Sequence, residues 1–120
     1  MSTSEVIHCV YLKYNSDVSA EQQADVFRRF YELKNECKSS SGEPYIAKIQ
    51  CGSENTSTEG AGKGFDHAFV VTFSSAEDVK YYVDEDPTHD AFKKFVKPLL
   101  ADAFIFDFKP TTPASASSSA

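Results

Sequence analysis

The chain has 120 residues, which is room for one domain, and its 18 acidic residues outnumber 12 basic ones. The net charge of −6, with no basic stripe to reverse it locally, argues against nucleic acid as a partner. No apolar run approaches the roughly 20 residues that span a bilayer, and the polar first residues do not resemble a secretory signal. We therefore expect a soluble cytoplasmic protein with no membrane contact.

Aromatic residues and cysteines give two further expectations. Ten Phe and six Tyr, against no Trp and one Met, predict a core or an interface built from aromatic rings. The three cysteines, Cys9, Cys37 and Cys51, form no CxxC pair, and an odd, widely spaced set indicates reduced intracellular thiols. A reactive thiol is the alternative, although small apolar packing is the commoner role of a free cysteine.

Residues 6–14 predict the first strand, in which successive side chains project to opposite faces and both faces are largely apolar. One face carries Val6, His8, Val10, Leu12 and Tyr14, and the other carries Ile7, Cys9, Tyr11 and Lys13. A strand of this kind needs a covering layer on each side.

The spacing of Ser19 and Gln22 is that of a capping box, which opens a first helix ending near residues 39–42. Its apolar positions recur at helical spacing: Val26, Phe27, Phe30, Leu33 and Cys37. Strands are predicted at residues 45–51 and 66–73. The polar stretch 52–64 between them has four of the five glycines and predicts a mobile hairpin loop.

Ser75 and Asp78 give a second capping signal, for a short helix in which Val79, Tyr82 and Val83 share a face. The Asp86-Pro87 dipeptide ends this helix. Thr88 is the predicted cap of a third helix, which Pro98 should kink or end. The apolar positions of that helix are Phe92, Phe95, Val96, Leu99 and Leu100, and a last strand is predicted at 104–108.

The predicted order is therefore β-α-β-β-α-α-β, an α+β fold of the ferredoxin-like kind. It occupies residues 5–109, between a disordered N-terminus (1–4) and a disordered Ser/Ala/Pro tail (110–120). Helices cover one face of such a sheet. Because the other face is apolar too, we expect a homodimer that packs two sheets face to face.

Four segments, residues 8–13, 64–73, 82–89 and 106–108, resemble the stress-responsive dimeric α/β-barrel family in order and in spacing. The resemblance implies a dimeric α/β barrel. Some plant members are cofactor-independent polyketide cyclases, in which a Tyr and a His matching Tyr82 and His89 assist an intramolecular aldol condensation. This chain differs from that pattern in two ways: it has one more residue between Tyr82 and Asp86, and it has Phe30 in place of a pocket tyrosine. A few relatives bind magnesium at the dimer interface, but no acidic cluster here matches such a site.

His89 and Tyr82 are the candidate catalytic residues. His89 precedes Phe92 by three positions, so helical spacing directs it toward the apolar side, and a helix N-terminus disfavours its charged form. A neutral His base and a Tyr donor beside an apolar pocket suit proton removal next to a carbonyl. The alternative is a structural latch, in which the two side chains hydrogen-bond each other or nearby backbone.

His8 and His67 fall on the more apolar faces of neighbouring strands, where they either line the cavity of His89 or are satisfied core histidines. Their spacing matches no zinc signature, and we predict no metal and no cofactor. Asp66 and Asp107 are interpreted as strand-end residues that satisfy turns. The remaining candidates for a ligand pocket are apolar and serve equally well as core: Phe27, Phe30, Phe69, Val79 and Phe92.

Three functional hypotheses follow. The first is a cyclase or another lyase or isomerase acting on a β-keto substrate. The second is a non-enzymatic dimer that responds to stress or binds a small hydrophobic or aromatic ligand. The third is a cofactor-independent monooxygenase. The substrate and the pathway are not encoded in any motif.

Overall fold

The computed structural model describes residues 4–113. In chain order these form β1 (Val6–Tyr14), α1 (Ala20–Glu36), β2 (Ile46–Gly52), β3 (His67–Phe73), α2 (Ala76–Asp84), α3 (Pro87–Val96), a 3₁₀ helix (Lys97–Leu99) and β4 (Leu100–Phe108). The strands make one sheet in the order β2-β3-β1-β4, with every neighbouring pair antiparallel. This is the predicted ferredoxin-like α+β fold.

β1 lies inside the sheet, between β3 and β4, because its two apolar faces suit burial on both sides. Its pairing register sets the later geometry: His8 lies opposite Val71 of β3 and Asp107 of β4. Side chains two apart share a face, so Val10 and Leu12 project from the same side as His8. That side faces the helices and holds the core.

α1 begins with the predicted capping box. The Ser19 hydroxyl accepts a hydrogen bond from the Gln22 amide at 3.1 Å, and the Gln22 side chain accepts from the Ser19 amide at 2.9 Å. Val26, Phe30 and Leu33 are buried against the sheet, as their spacing predicts. The predicted helix start and apolar stripe are therefore confirmed, whereas the helix ends at Glu36, before the predicted end near residues 39–42.

Asp86 and Pro87 separate α2 from α3, as expected, but the capping residue differs from the prediction. The N-cap of α3 is Asp86, whose Oδ1 accepts hydrogen bonds from the amides of Thr88 (2.8 Å) and His89 (3.2 Å). Pro87 takes the first helical position, where a missing N–H costs nothing. Thr88 therefore lies inside the first turn and does not cap it.

Pro98 ends α3, as predicted, and a 3₁₀ turn leads directly into β4. This strand begins at Leu100, four residues before the predicted start at 104. Leu99 and Leu100 continue the apolar spacing of α3, which hides the boundary in the sequence. Leu100 belongs to the strand because it pairs with Tyr14 of β1.

The core is built from aromatic rings, as the composition predicts. The rings of Phe30 and Phe69 stack at a centroid distance of 3.7 Å, and Phe92 meets Phe30 edge-on at 5.4 Å. Tyr82, Phe69 and Phe73 are the largest fully buried side chains among the described residues. These contacts fill the layer between sheet and helices.

A second aromatic group lies on the opposite face of the sheet, where no helix covers it. In β4, Phe104, Phe106 and Phe108 are 54%, 55% and 42% exposed, and their register places them beside the outward face of β1. Tyr11 of β1 stacks on Phe104 at 5.9 Å. We name Phe104, Phe106 and Phe108 the outer aromatic row. Exposed apolar area of this kind is typical of an interaction surface.

The three cysteines are free thiols. Cys9 and Cys37 are buried, which matches apolar packing, whereas Cys51 is exposed. Partial desolvation raises the pKa of the Cys51 thiol, and a raised pKa lowers the fraction of reactive thiolate.

Most of the predicted disordered termini falls outside the described residues, namely 1–3 and 114–120. Ser4 and residues 110–113 are described and have no regular secondary structure. Within residues 4–113, no helix is long and apolar enough to cross a membrane.

Candidate active site

Tyr82 and His89 lie face to face where α2 gives way to α3. Their ring centroids are 3.6 Å apart and their planes are inclined by 12°. Tyr82 is 1% exposed and His89 9%. The tight connection through Asp86 and Pro87 places the end of α2 beside the first turn of α3, so two residues seven positions apart can stack.

The hydrogen bonding of His89 defines its tautomer. Its Nδ1 lies 2.7 Å from the backbone carbonyl oxygen of Tyr82. A carbonyl only accepts, so Nδ1 carries the hydrogen and Nε2 of the neutral ring keeps its lone pair. Burial lowers the pKa of His89 to about 4 and outweighs the opposing effects of the Tyr82 carbonyl and Asp86. At neutral pH the ring is uncharged, chiefly because of burial and not because of the helix N-terminus.

The Tyr82 hydroxyl is buried, and within residues 4–113 it is the one buried side-chain oxygen or nitrogen without a hydrogen-bond partner. Burial, together with the nearby Cys37 and Asp86, raises the pKa of Tyr82 well above its ordinary value of 10. The group therefore keeps its proton. An unsatisfied buried hydroxyl costs about 1–3 kcal/mol, a cost that an added acceptor would remove.

His8 and Asp107 form the third part of the site. His8 donates from Nδ1 to Asp107 Oδ1 at 2.6 Å, across the β1–β4 pair, and its ring meets the edge of Tyr82 at 5.8 Å. Asp107 was predicted to satisfy a turn, and that prediction was wrong. The signal that was missed is the position of Asp107 between Phe106 and Phe108. Successive side chains of a strand project to opposite faces, so Asp107 lies on the face opposite the outer aromatic row.

His67 lies at the other end of the same sheet face. It pairs with Leu12, four residues along β1 from His8, which corresponds to roughly 13 Å. Its Nδ1 is hydrogen-bonded to the Tyr14 hydroxyl at 2.9 Å, and its ring contacts Phe27 at 4.9 Å. Burial lowers the pKa of His67. The structure thus groups His8 with His89 and leaves His67 apart.

Most of the other predicted pocket residues fill the core. Phe27 packs on Phe69 at 5.4 Å, and the stacked Phe30 and Phe69 continue to Phe92. Val79 is half-buried on α2 and lines a groove. These phenylalanines therefore form a continuous group of packed rings that reaches from His67 to Phe92.

Two grooves open on the surface near these groups. One, of about 460 Å³, lies between α2 and β4 and is lined by Val79, Val83, Asp107 and Phe108 among others. Val83 was predicted to face inward with Tyr82; it is instead 41% exposed, on the rim of this groove. The second groove, of about 810 Å³, runs under the hairpin loop and is lined by residues that include His67 and Phe104. Neither groove includes Tyr82 or His89 in its lining.

Among residues 4–113, no group of three or more His, Cys, Asp or Glu side chains is arranged to hold an ion. The two carboxylates nearest the site, Asp86 and Asp107, are each engaged by donors of the protein.

Comparison with known proteins places this geometry in context. The family model for the stress responsive A/B barrel domain matches residues 6–110. Olivetolic acid cyclase of Cannabis sativa is 25% identical over 105 residues, which cover 88% of this chain and 96% of the cyclase. Two solved structures share the fold. Hydroxynitrile lyase from Passiflora edulis has a TM-score of 0.78 and 23% identity, over 92% of this chain and 98% of the other. A dimeric ferredoxin-like protein of unknown function from Bacteroides fragilis has a TM-score of 0.66 and 24% identity, over 92% and 100%.

Proposed function

The chain belongs to the stress-responsive A/B barrel domain family, and from this premise we propose that it is a homodimeric, cofactor-independent cyclase of the aldol type. Its substrate is a linear β-keto compound, with His89 as the base and Tyr82 as the acid. One observation carries the proposal: a neutral imidazole with an unprotonated Nε2 is stacked on a tyrosine whose buried hydroxyl has no partner.

The proposed step is an intramolecular aldol addition. His89 Nε2 takes a proton from a methylene carbon that lies between two carbonyl groups, and the electron pair is delocalised as an enolate. The enolate carbon bonds to a distant keto carbon of the same molecule, whose oxygen receives the proton of the Tyr82 hydroxyl. The imidazolium then returns its proton to the Tyr82 oxygen, and both residues are regenerated.

The electrostatics of the two residues support these roles. The raised pKa of Tyr82 keeps its hydroxyl protonated, so that it can donate to a carbonyl oxygen. A substrate oxygen would give the buried Tyr82 hydroxyl the hydrogen-bond partner that it lacks. The relative that is a cyclase, olivetolic acid cyclase, supports the reaction class.

Approach to the pair is proposed through the groove between α2 and β4. Asp107 lines that groove and holds His8, and His8 contacts the edge of Tyr82. A substrate entering there would reach the Tyr82 hydroxyl after a displacement of the His8 ring. In this account, His8 is a gate and a second polar contact for the substrate.

The homodimer is proposed from the outer aromatic row. Its three rings are about half exposed on a sheet face without a helical cover, and burying them against a second copy would remove that apolar area from water. The related protein from Bacteroides fragilis is described as dimeric.

Product formation from a linear thioester with three β-keto groups tests the proposal. Wild-type protein should form a six-membered carbocycle, detected by liquid chromatography and mass spectrometry. We expect His89→Gln to lower the rate by about 10²–10⁴-fold, because a general base contributes roughly that factor. His67→Gln, at the other end of the face, is the matched control and should retain most of the activity.

Two results would contradict the cyclase proposal. One is the absence of any ring-closed product with folded wild-type protein across several chain lengths of the thioester. The other is equal activity in His89→Gln and wild type, with folding verified by circular dichroism.

A non-enzymatic dimer that binds a small ligand is the second candidate. It is favoured by the bond from His89 to the Tyr82 backbone carbonyl, which can act as a latch, and by the enclosure of both rings. In that case His89→Gln should lower the free energy of unfolding while no carbonyl compound is turned over.

A further inference from the structure

Asp86 is a charged residue in an unusual position, because its side chain is almost completely buried, with 1% exposure. A buried carboxylate is stable only when donors surround it. Oδ1 accepts from the amides of Thr88 and His89, and Oδ2 accepts from the Tyr45 hydroxyl at 2.5 Å. The Cys37 thiol lies nearby: its burial, together with the charge of this carboxylate, raises the pKa of that thiol.

These groups come from separate parts of the chain. Cys37 is the C-cap of α1, Tyr45 immediately precedes β2, and the two amides belong to the first turn of α3. The Asp86 backbone amide donates to the carbonyl of Tyr81 in α2, at 2.8 Å. Asp86 thus lies where the ends of three helices and the start of a strand meet.

Helix capping alone does not require this arrangement. The other two long helices of the described chain are capped by exposed or half-buried serines, Ser19 and Ser75. A serine cap contributes about 1 kcal/mol without the desolvation of a charge. The helix that carries His89 in its first turn instead uses a buried carboxylate that a tyrosine hydroxyl also binds.

We propose that Asp86 is a positioning residue for His89: oriented by Tyr45, it fixes the first turn of α3 so that His89 Nδ1 meets the Tyr82 carbonyl and Nε2 remains the acceptor. The inference rests on the proposed base role of His89. The Tyr45 hydroxyl donates to Oδ2, so Oδ1 accepts from the two amides. A carboxylate that rotated freely would not keep its two oxygens on different donors.

The charge of Asp86 has a second consequence for His89. It favours the protonated imidazole and so opposes the effect of burial. When Nε2 takes a proton from the substrate, this fixed negative charge stabilises the imidazolium without any rearrangement. Positioning and charge stabilisation therefore act on the same ring.

The experiment uses ¹⁵N NMR of the imidazole rings in the full chain at neutral pH, together with product formation. Tyr45→Phe keeps the ring and removes only the donor to Asp86, and Asp86→Asn keeps a capping oxygen and removes the charge. Ser75→Ala, which removes the cap of α2, is the control for a general loss of stability. We expect Tyr45→Phe to lower the Nδ1–H tautomer fraction of His89, and both variants to lower the rate about tenfold to a hundredfold.

The outcomes separate this inference from the cyclase proposal, because the tautomer of His89 is measured without any substrate. A wild-type tautomer in folded Tyr45→Phe, or an equal change in Ser75→Ala, would overturn the positioning role. Should Asp86→Asn fail to fold, Tyr45→Phe still decides. Absence of product with wild-type protein would count against the cyclase alone.

Discussion

Two histidine–tyrosine pairs lie in the layer between the sheet and the helices, and the two pairs are built differently. At one end the Tyr14 hydroxyl bonds directly to Nδ1 of His67. At the other end His89 stacks on Tyr82 and bonds to its backbone carbonyl, which leaves the Tyr82 hydroxyl without a partner. We call the first the closed pair and the second the open pair.

The difference shows that the same two residue types can be hydrogen-bonded in two different ways. In the closed pair the tyrosine hydroxyl already has the His67 nitrogen as its partner. The open pair keeps an acceptor nitrogen and a donor hydroxyl that the protein does not use, at a cost in stability. Natural proteins retain unsatisfied polar groups of this kind mainly at functional sites.

The largest effect predicted for the open pair is a pH dependence of stability. The pKa of His89 is lowered from 6.5 to about 4 on folding, so the unfolded chain binds more protons between these values. The contribution of His89 to the free energy of unfolding is therefore complete above pH 6.5. As the pH falls toward 4, about 3 kcal/mol of that free energy is lost. Urea unfolding of wild type and His89→Gln should show this difference in slope. Parallel curves would mean that His89 is not buried as a neutral ring.

Tyr→Phe substitutions in the two pairs should have different effects on the free energy of unfolding. Tyr14→Phe removes the partner of a buried His67 nitrogen, and we expect a loss of about 1–3 kcal/mol in the free energy of unfolding. Tyr82→Phe removes a hydroxyl that has no partner, so stability should stay the same or rise by up to about 1 kcal/mol. Denaturant unfolding of both variants checks the contrast. A larger loss for Tyr82→Phe than for Tyr14→Phe would remove the distinction between open and closed pairs.

The smallest effect is expected at Asp107. Its side chain is 39% exposed, so Asp107→Asn should cost less than about 1 kcal/mol. The NMR signal of the His8 Nδ1 proton should nevertheless change, because a neutral amide oxygen replaces the charged carboxylate that accepts its 2.6 Å hydrogen bond. Asp102→Asn, on the same strand but distant from His8, is the control. An unchanged His8 signal in Asp107→Asn would separate this pair from the site.

Much of the fold could be predicted because its signals are local. Ser19 and Gln22 mark a helix start within four residues, and alternation in residues 6–14 identifies the first strand without knowledge of its neighbours. Local signals failed where the same sequence pattern is compatible with two local structures. Both Asp86 and Thr88 are good caps, and Pro87, which favours the first helical position, is the residue that decides between them.

The site could be predicted only in part, because contacts across the sheet depend on register. His89 and Tyr82 were selected from helical spacing. The pairing of His8 with Asp107 spans 99 positions of the chain, and the separation of His67 from His89 depends on how far each lies along its strand. No local pattern encodes such distances. The missing partner of Tyr82 is likewise a property of the packed core and not of any motif.

The central claim, that the open pair alone receives a carbonyl compound, is tested most directly by titrating the protein with benzoylacetone, a diketone that cannot cyclise with itself. Imidazole ¹⁵N and tyrosine ring ¹³C signals report both pairs in one experiment. We expect saturable shifts at His89 Nε2 and Tyr82, with His67 and Tyr14 unchanged. Shifts confined to His67 and Tyr14, or no shift at either pair up to the solubility of the diketone, would contradict it.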